Sequence, residues 1–188
     1  MNNKGEKTRR QRLWTWLKRP LALGIPIGVF LLVMGAASFQ GMMVASNQNA
    51  FCFSCHLKMD TIVQEYKASS HFSDGETIPA TCSDCHVPRP FIDKMIVKTV
   101  ALKDIYHMMV GTITKENFEE HRPAMAESVW IDFKKNDSAN CRACHQGENF
   151  NLAKQPQRAR LNHEQIAARG ETCVDCHQGL THNRIVIR

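Results

Sequence analysis

No cysteine in this chain stands outside a single pattern, and that absence excludes more than any residue present. All eight cysteines fall in Cys52-Phe53-Ser54-Cys55-His56, Cys82-Ser83-Asp84-Cys85-His86, Cys141-Arg142-Ala143-Cys144-His145 and Cys173-Val174-Asp175-Cys176-His177. Paired disulfides or four-thiolate zinc sites would account for the cysteines, yet both leave the His after every pair unexplained. C-x-x-C-H with no thiol to spare reads instead as c-type haem attachment. The two sulfurs bond the vinyl groups of one porphyrin, and the adjacent imidazole is placed as an axial iron ligand.

Acidic residues are nearly missing from the first 20 positions, where Glu6 faces Lys4, Lys7, Arg9, Arg10, Arg12, Lys18 and Arg19. With seven of the 24 Lys/Arg and one of the 18 Asp/Glu in that tail, residues 21–188 keep 17 of each. The formal charge of +6 is therefore a property of the tail and does not point to nucleic acid. Haem propionates are expected to make the remainder net acidic.

Charge is missing altogether from Leu21 to Ala45, where Gln40 is the one strongly polar residue. Roughly 25 residues at 1.5 Å each are enough to cross a hydrocarbon core of about 30 Å. A cleaved signal peptide has an apolar region of only about 7–15 residues. No convincing cleavage site precedes Asn47, so an uncleaved signal-anchor is expected, with Pro26 as a kink point. The basic tail predicts a cytoplasmic N-terminus, which puts residues 46–188 in the periplasm of a bacterial inner membrane. Arg9-Arg10 lacks the hydrophobic residues expected after a twin-arginine pair. Gly24, Gly28 and Gly35 could pack against another helix, as in a homo-oligomer.

The expected organisation is a tail (1–20), an anchor (21–45) and a tetrahaem domain (46–188). The fold class is mainly α with much loop, the four porphyrins filling an interior that the chain alone would struggle to fill. A duplication divides the domain into dihaem units 46–87 and 138–188, joined by a helical connector, 88–137. First cysteines lie 30 apart in one pair (Cys52, Cys82) and 32 apart in the other (Cys141, Cys173), each pair enclosing one further His, His71 or His163. Pro88-Arg89-Pro90 opens the connector. Apolar spacing through Ile92, Met95, Ile96, Val100, Ile105 and Met109 predicts one amphipathic helix. A second is expected within Lys115–Lys134, interrupted or restarted at Pro123.

Four bis-histidine haems need eight ligands. His56, His86, His145 and His177 are the motif ligands; His71, His163 and His182 are the favoured distal ones. His107 among Tyr106, Met108 and Met109 reads as helix lining, and His121 beside charged neighbours reads as solvent-exposed. Met59 gives haem one a different option, a thioether ligand that raises potential; a Met packed on porphyrin is the alternative. Cys52 follows Ala45 by seven residues, so haem one is expected at the bilayer surface, within reach of a lipid-soluble quinol. Quinol oxidation needs a base. Asp104 is the candidate, with Lys98 or Lys94 placing the quinol oxygen.

Phe51-Cys-Phe-Ser-Cys-His, Gln64-Glu65-Tyr66-Lys67, His71, Ala80-Thr-Cys-Ser-Asp-Cys-His-Val-Pro, Lys103-Asp104-Ile105-Tyr106, Asp137-Ser138-Ala139-Asn140-Cys141 and Thr172 through His182 resemble the NapC/NirT/NrfH family of membrane-anchored tetrahaem cytochromes c. The resemblance covers almost the whole chain. It implies oxidation of menaquinol or ubiquinol at the periplasmic face and delivery of electrons to a periplasmic reductase or cytochrome, with Asp104 on the open side of haem one. It also implies distal pairings of His71 with the haem of His177, His182 with that of His145, and His163 with that of His86. The family's Met often sits two residues after the first motif's His; here that position is Lys58, and Met59 is one further, so Met59 and His56 both stay open as the ligand. The extra haem domain of pentahaem relatives is not expected. Two other functions remain: a membrane anchor and electron wire with no quinol site, and a multihaem reductase acting on nitrite itself.

Overall fold

The computed structural model describes residues 9–56, 60–72 and 79–185. Two compact units divide the chain, Met1–Ser46 and Asn47–Arg188.

The first unit is one helix, α1 (Arg9–Ala45). Leu13–Ala45 within it is apolar enough to cross a membrane, with mean hydropathy 2.2. Its large side chains, Leu23, Phe30 and Leu32 among them, are exposed rather than packed on protein. The helix runs through both Pro20 and Pro26. Trp14, with the Lys18 ammonium 4.5 Å from its ring centroid, and Trp16 stand at the basic end, residues suited to a membrane–water boundary. No atom of the chain lies within 4 Å of a Cβ built at Gly24, Gly28 or Gly35.

The second unit contains α2 (Asn49–His56), α3 (Asp60–Ala68), α4 (Cys82–His86), α5 (Phe91–Val100), α6 (Leu102–Met109), α7 (Phe118–Lys135), α8 (Ala139–Arg142), α9 (Gln157–Gln165) and α10 (Cys173–Cys176). No strand occurs among the described residues. Each C-x-x-C-H lies on a helical turn. The His145 amide donates to Cys141 O at 2.8 Å and the His177 amide to Cys173 O at 2.9 Å. A helical turn puts residues i and i+3 on one face, which is what two sulfurs bound to one porphyrin require.

Motifs two and four read alike because both are capped alike. The Thr81 amide donates to Asp84 Oδ2 (2.7 Å) while the Asp84 amide donates to Thr81 Oγ1 (3.3 Å). The Thr172 amide donates to Asp175 Oδ2 at 2.7 Å. The Asp of C-x-D-C-H is thus a capping residue that starts the haem-bearing turn.

Buried polar side chains tie the four turns together in chain order. Asn49 accepts from the Cys82 amide (2.9 Å), and the Ser83 hydroxyl donates to Asn47 O (2.9 Å), joining motifs one and two. Asn140 donates to Cys85 O (2.7 Å) and Val87 O (3.3 Å), joining two and three. The Ser138 hydroxyl donates to Thr172 Oγ1 (3.0 Å) and accepts from the Val174 amide (3.3 Å), joining three and four. Ser138 is 1% exposed and has φ +50°, next to Asp137 at φ +54°. Two successive non-glycine residues in the left-handed region are costly, and the surrounding bonds, including Arg142 to Asp137 O at 2.9 Å, hold them there. Ser138→Ala leaves the Val174 amide unpaired and should lower unfolding free energy by about 1–3 kcal/mol. A shift of the denaturant midpoint at unchanged slope would show this; an unaltered midpoint would mean that the junction carries no stability.

The packed apolar core is small. Among the described residues it consists of Val63, Tyr66, Phe118 and Val174. Tyr66 is its hub: its hydroxyl donates to Ala80 O (2.9 Å) and accepts from Asn49 (2.8 Å), and its ring meets Phe72 edge-on at 5.1 Å.

Two expectations about the connector change. The amphipathic run is two helices, because at Ala101 an Asp104 amide to Ala101 O bond (3.1 Å) tightens one turn and re-aims the chain. α7 in turn does not stop at Pro123; the ring sits near its N-terminal end and forfeits one rung there.

Candidate functional site

The described cysteines adjoin one another in chain order. The Cys52 and Cys82 thiols hydrogen-bond, which draws Cys52 down to about 7 against burial and drives Cys82 up. Cys85 is pushed up to about 11 by burial and then by the neighbouring Cys141, Asp84 and Cys144. Burial raises Cys141 too, with Cys173 next in weight. Sulfurs alkylated by vinyl groups no longer titrate, so these couplings matter as a map of adjacency: motif one to two, two to three, three to four. Cys144 and Cys176 are exposed, while Cys52, Cys82, Cys85, Cys141 and Cys173 are half-buried.

The histidines come together in pairs. The rings of His71 and His145 have centroids 6.2 Å apart, those of His86 and His182 are 6.4 Å apart, and those of His163 and His177 are 5.9 Å apart and 20° from parallel. A metal ion bonded to two imidazole nitrogens at about 2.0 Å each, with the ring radii added, sets centroids roughly 6 Å apart. Each pair combines one motif histidine with one favoured distal histidine. The small apolar core leaves the interior to be completed by large apolar groups. Paired rings, helical C-x-x-C turns and sparse core together fit haem c.

The partners differ from those that the family resemblance implies. The structure sets His71 against His145, His182 against His86 and His163 against His177. The causes are local. α9 carries His163 just ahead of α10, so it meets the motif nearest in sequence. The Asn140 junction brings motif three up to motif two, toward the end of α3 where His71 lies. Asn183 anchors the tail at Glu65 of α3, which holds His182 against motif two.

Second contacts orient these rings. His163 Nδ1 meets Gln155 Oε1 at 2.7 Å, which leaves Nε2 for a metal. His71 Nδ1 is buried without a hydrogen-bond partner. His182 Nδ1 lies 3.9 Å from Glu65 Oε2. Burial pushes the Glu65 carboxyl up, but hydrogen bonds from Arg122 and Asn183 and the charge of Arg122 pull it below the usual range. His107 lies against Tyr106 on α6, ring centroids 5.7 Å apart, as helix lining would have it; its Nδ1 is buried and unpartnered. His121 is half-buried on α7, contrary to the exposure expected from its charged neighbours, because α7 packs its Arg122 edge inward.

Met59 lies outside the described residues. The quinol candidates are spread out. Lys98 is half-buried on α5 and near enough to Cys52 for their charges to interact; burial lowers its pKa, Cys52 raises it and Lys94 lowers it further, with a net lowering. Lys94 shares a shallow groove with Asn47, Ser83 and Asp84. Asp104 is exposed in the first turn of α6.

Residues 17–186 match the NapC/NirT cytochrome c family, N-terminal region. The chain belongs to that family. The cytochrome c-type protein NapC of Escherichia coli (strain K12) is 40% identical over 179 residues, 92% of this chain and 88% of that protein. The denitrification system component NirT of Stutzerimonas stutzeri is 36% identical over 185 residues, 95% of this chain and 92% of that one. A chain in the crystal structure of the cytochrome c nitrite reductase NrfHA complex bound to the HQNO inhibitor superposes with TM-score 0.51 at 27% identity, covering 89% of this chain and 93% of that one. As a NapC/NirT cytochrome this is an electron-transport protein with covalently bound haem c, and α1 fits its membrane anchor.

Sequence reasoning noted Glu65, Ser138 and Asn140 only as letters in a resemblance. Their roles as ring support and motif junctions, like those of Arg122 and Gln155, have no local signature, since their partners are far away in sequence. The capping boxes were missed as well, although Thr81…Asp84 and Thr172…Asp175 carry a T-x-x-D spacing that could have found them.

Proposed function

We propose that this chain is a membrane-anchored tetrahaem cytochrome that oxidises quinol at the periplasmic face and passes the electrons to a periplasmic terminal reductase. The observation that carries this reading is the linear order of the four motif turns, joined one to two to three to four, with the first only seven residues beyond the anchor. Haem c, when bound, supplies a one-electron carrier at each turn. The eight cysteines hold the four groups. His86, His145 and His177 would ligate from the motifs, His71, His163 and His182 would ligate from the distal side, and either His56 or Met59 would ligate haem one.

Quinol gives up two electrons and two protons. Asp104 takes a proton, and Lys98, with its ammonium near Cys52, or Lys94 donates a hydrogen bond to the quinol oxygen. Exposed Ile92, Ile96, Val100, Ile105 and Met109 on α5 and α6, interspersed with lysines, supply the surface chemistry of a lipid interface where a quinol resides. At the other end, exposed Cys144 and Cys176 favour transfer to an external partner from the last two turns. The exposure of Asp104 favours the second reading, an anchor and wire with no quinol site.

Anaerobic reduction of the holoprotein in liposomes, followed at the haem α-band, separates the two. Menaquinol or ubiquinol should reduce the haems within the mixing experiment and so identify the donor. If neither does while dithionite reduces all four, the dehydrogenase reading fails and the wire remains.

A further inference from the structure

The least exposed ion pair among the described residues of the second unit joins Glu65 and Arg122. Glu65 and Arg122 side chains are 10% and 9% exposed. Glu65 Oε1 accepts from Arg122 Nη1 at 3.0 Å and from Asn183 Nδ2 at 2.8 Å. Glu65 Oε2 accepts from Arg122 Nη2 and, at 2.9 Å, from the Asn183 amide. Glu119, itself held by the Thr61 hydroxyl at 2.9 Å, lies 3.3 Å from Arg122 Nη1, the nitrogen that also donates to Glu65 Oε1. Three segments distant in sequence therefore meet at one carboxylate: α3, α7 and the tail.

The residue next to Asn183 is His182. Its Nδ1 lies 3.9 Å from Glu65 Oε2, beyond hydrogen-bond length but close enough for the carboxylate charge to act on the ring, and that ring lies against that of His86 at 6.4 Å. An imidazole that ligates through Nε2 leaves Nδ1–H for an outer partner, and a carboxylate there raises ligand basicity and adds negative charge near the metal. Both effects favour ferric over ferrous iron. Arg122 opposes them with a positive charge on the far side of the same carboxylate.

We propose that Glu65 is a positioning residue that, through His182, holds down the reduction potential of the haem carried by Cys82 and Cys85, and that Arg122 sets how far. This rests on the bis-histidine reading of the His86–His182 pair. The pair makes the second haem a tuned step rather than a passive relay.

Mediated potentiometric titration of the holoprotein with dithionite needs no quinol site, so its outcome is independent of the quinol proposal. Glu65→Gln keeps the shape and removes the charge. It should favour reduction of one haem at least tenfold, about 59 mV upward for one electron, with that haem still low-spin. Arg122→Gln should shift the same haem the opposite way. Glu65→Asp should stay within threefold of wild type. Opposite signs are the signature, since mere loosening of the clamp moves both variants in one direction. If one variant yields no holoprotein, the sign given by the other decides. Unchanged potentials, shifts of the same sign, or equal shifts in Glu65→Gln and Glu65→Asp would overturn the proposal. His182→Ala separates the underlying reading: an undiminished low-spin signal would show that His182 is no ligand.

Discussion

His163→Ala is expected to turn one of the four haems from six-coordinate low spin to high spin. Its ring stacks on that of His177 at 5.9 Å and 20°, and Gln155 fixes Nδ1 at 2.7 Å, so a single orientation presents Nε2 to the partner ring. Removing the imidazole takes away a strong-field ligand and leaves an open iron position on the turn of Cys173 and Cys176. One third of the low-spin signal, that of the three haems held between paired histidines, should disappear from the electron paramagnetic resonance spectrum, and carbon monoxide binding to the reduced protein should increase. Added imidazole should restore the low-spin form by occupying the same position. His163→Met should keep six-coordination but raise the potential of that haem, because a thioether favours ferrous iron. An undiminished low-spin signal in the alanine variant would remove His163 from the ligand set.

Asp104→Asn is expected to slow quinol-driven reduction by about 10²-fold or more, the contribution that a positioned general base makes. The carboxylate stands exposed in the first turn of α6, so the change should leave the fold intact to within about 0.5 kcal/mol. Reduction by dithionite should therefore proceed as in the wild type, and all four haems should remain attached. Lys98→Gln acts on a different quantity. It replaces a charged donor by a shorter, neutral one in a ground-state contact and should raise the quinol concentration for half-maximal rate more than it lowers the limiting rate. Normal quinol oxidation by Asp104→Asn would take Asp104 out of the site while leaving the dehydrogenase reading standing.

These two variants probe parts of the protein that were legible to different degrees. The residues proposed to attach haem can be read from the sequence alone, since C-x-x-C-H confines that chemistry to five adjacent positions. The distal histidines were legible as candidates through the repeat that puts His71 and His163 inside each motif pair. Their partners were not. Pairings carried over from the resemblance cross the chain differently from the pairs seen, because a ring's partner depends on how helices return, and spacing alone is silent about that.

The division at Ala101 was equally hidden. Apolar periodicity continues across it, and a one-turn tightening leaves no mark in residue type. Pro123 misled in the other direction: a proline normally marks a boundary, but α7 runs on past it with one rung, to Glu119 O, left unmade. His121 looked exposed beside Glu119 and Glu120, yet its neighbour Arg122 is drawn inward by Glu65, a residue 57 positions away.

By itself the sequence determined the long apolar N-terminal helix, the four C-x-x-C-H motifs and the predominance of helix. Each depends on residues within a few positions of one another, where covalent spacing and hydrogen-bond geometry leave little choice. Tertiary structure alone decided the order in which the motif turns meet, the pairing of the rings, and the convergence of α3, α7 and the tail on Glu65. Those contacts join residues tens of positions apart through single side chains such as Asn140 and Ser138. A polar residue that bridges two distant turns looks, in the sequence, the same as one that faces water.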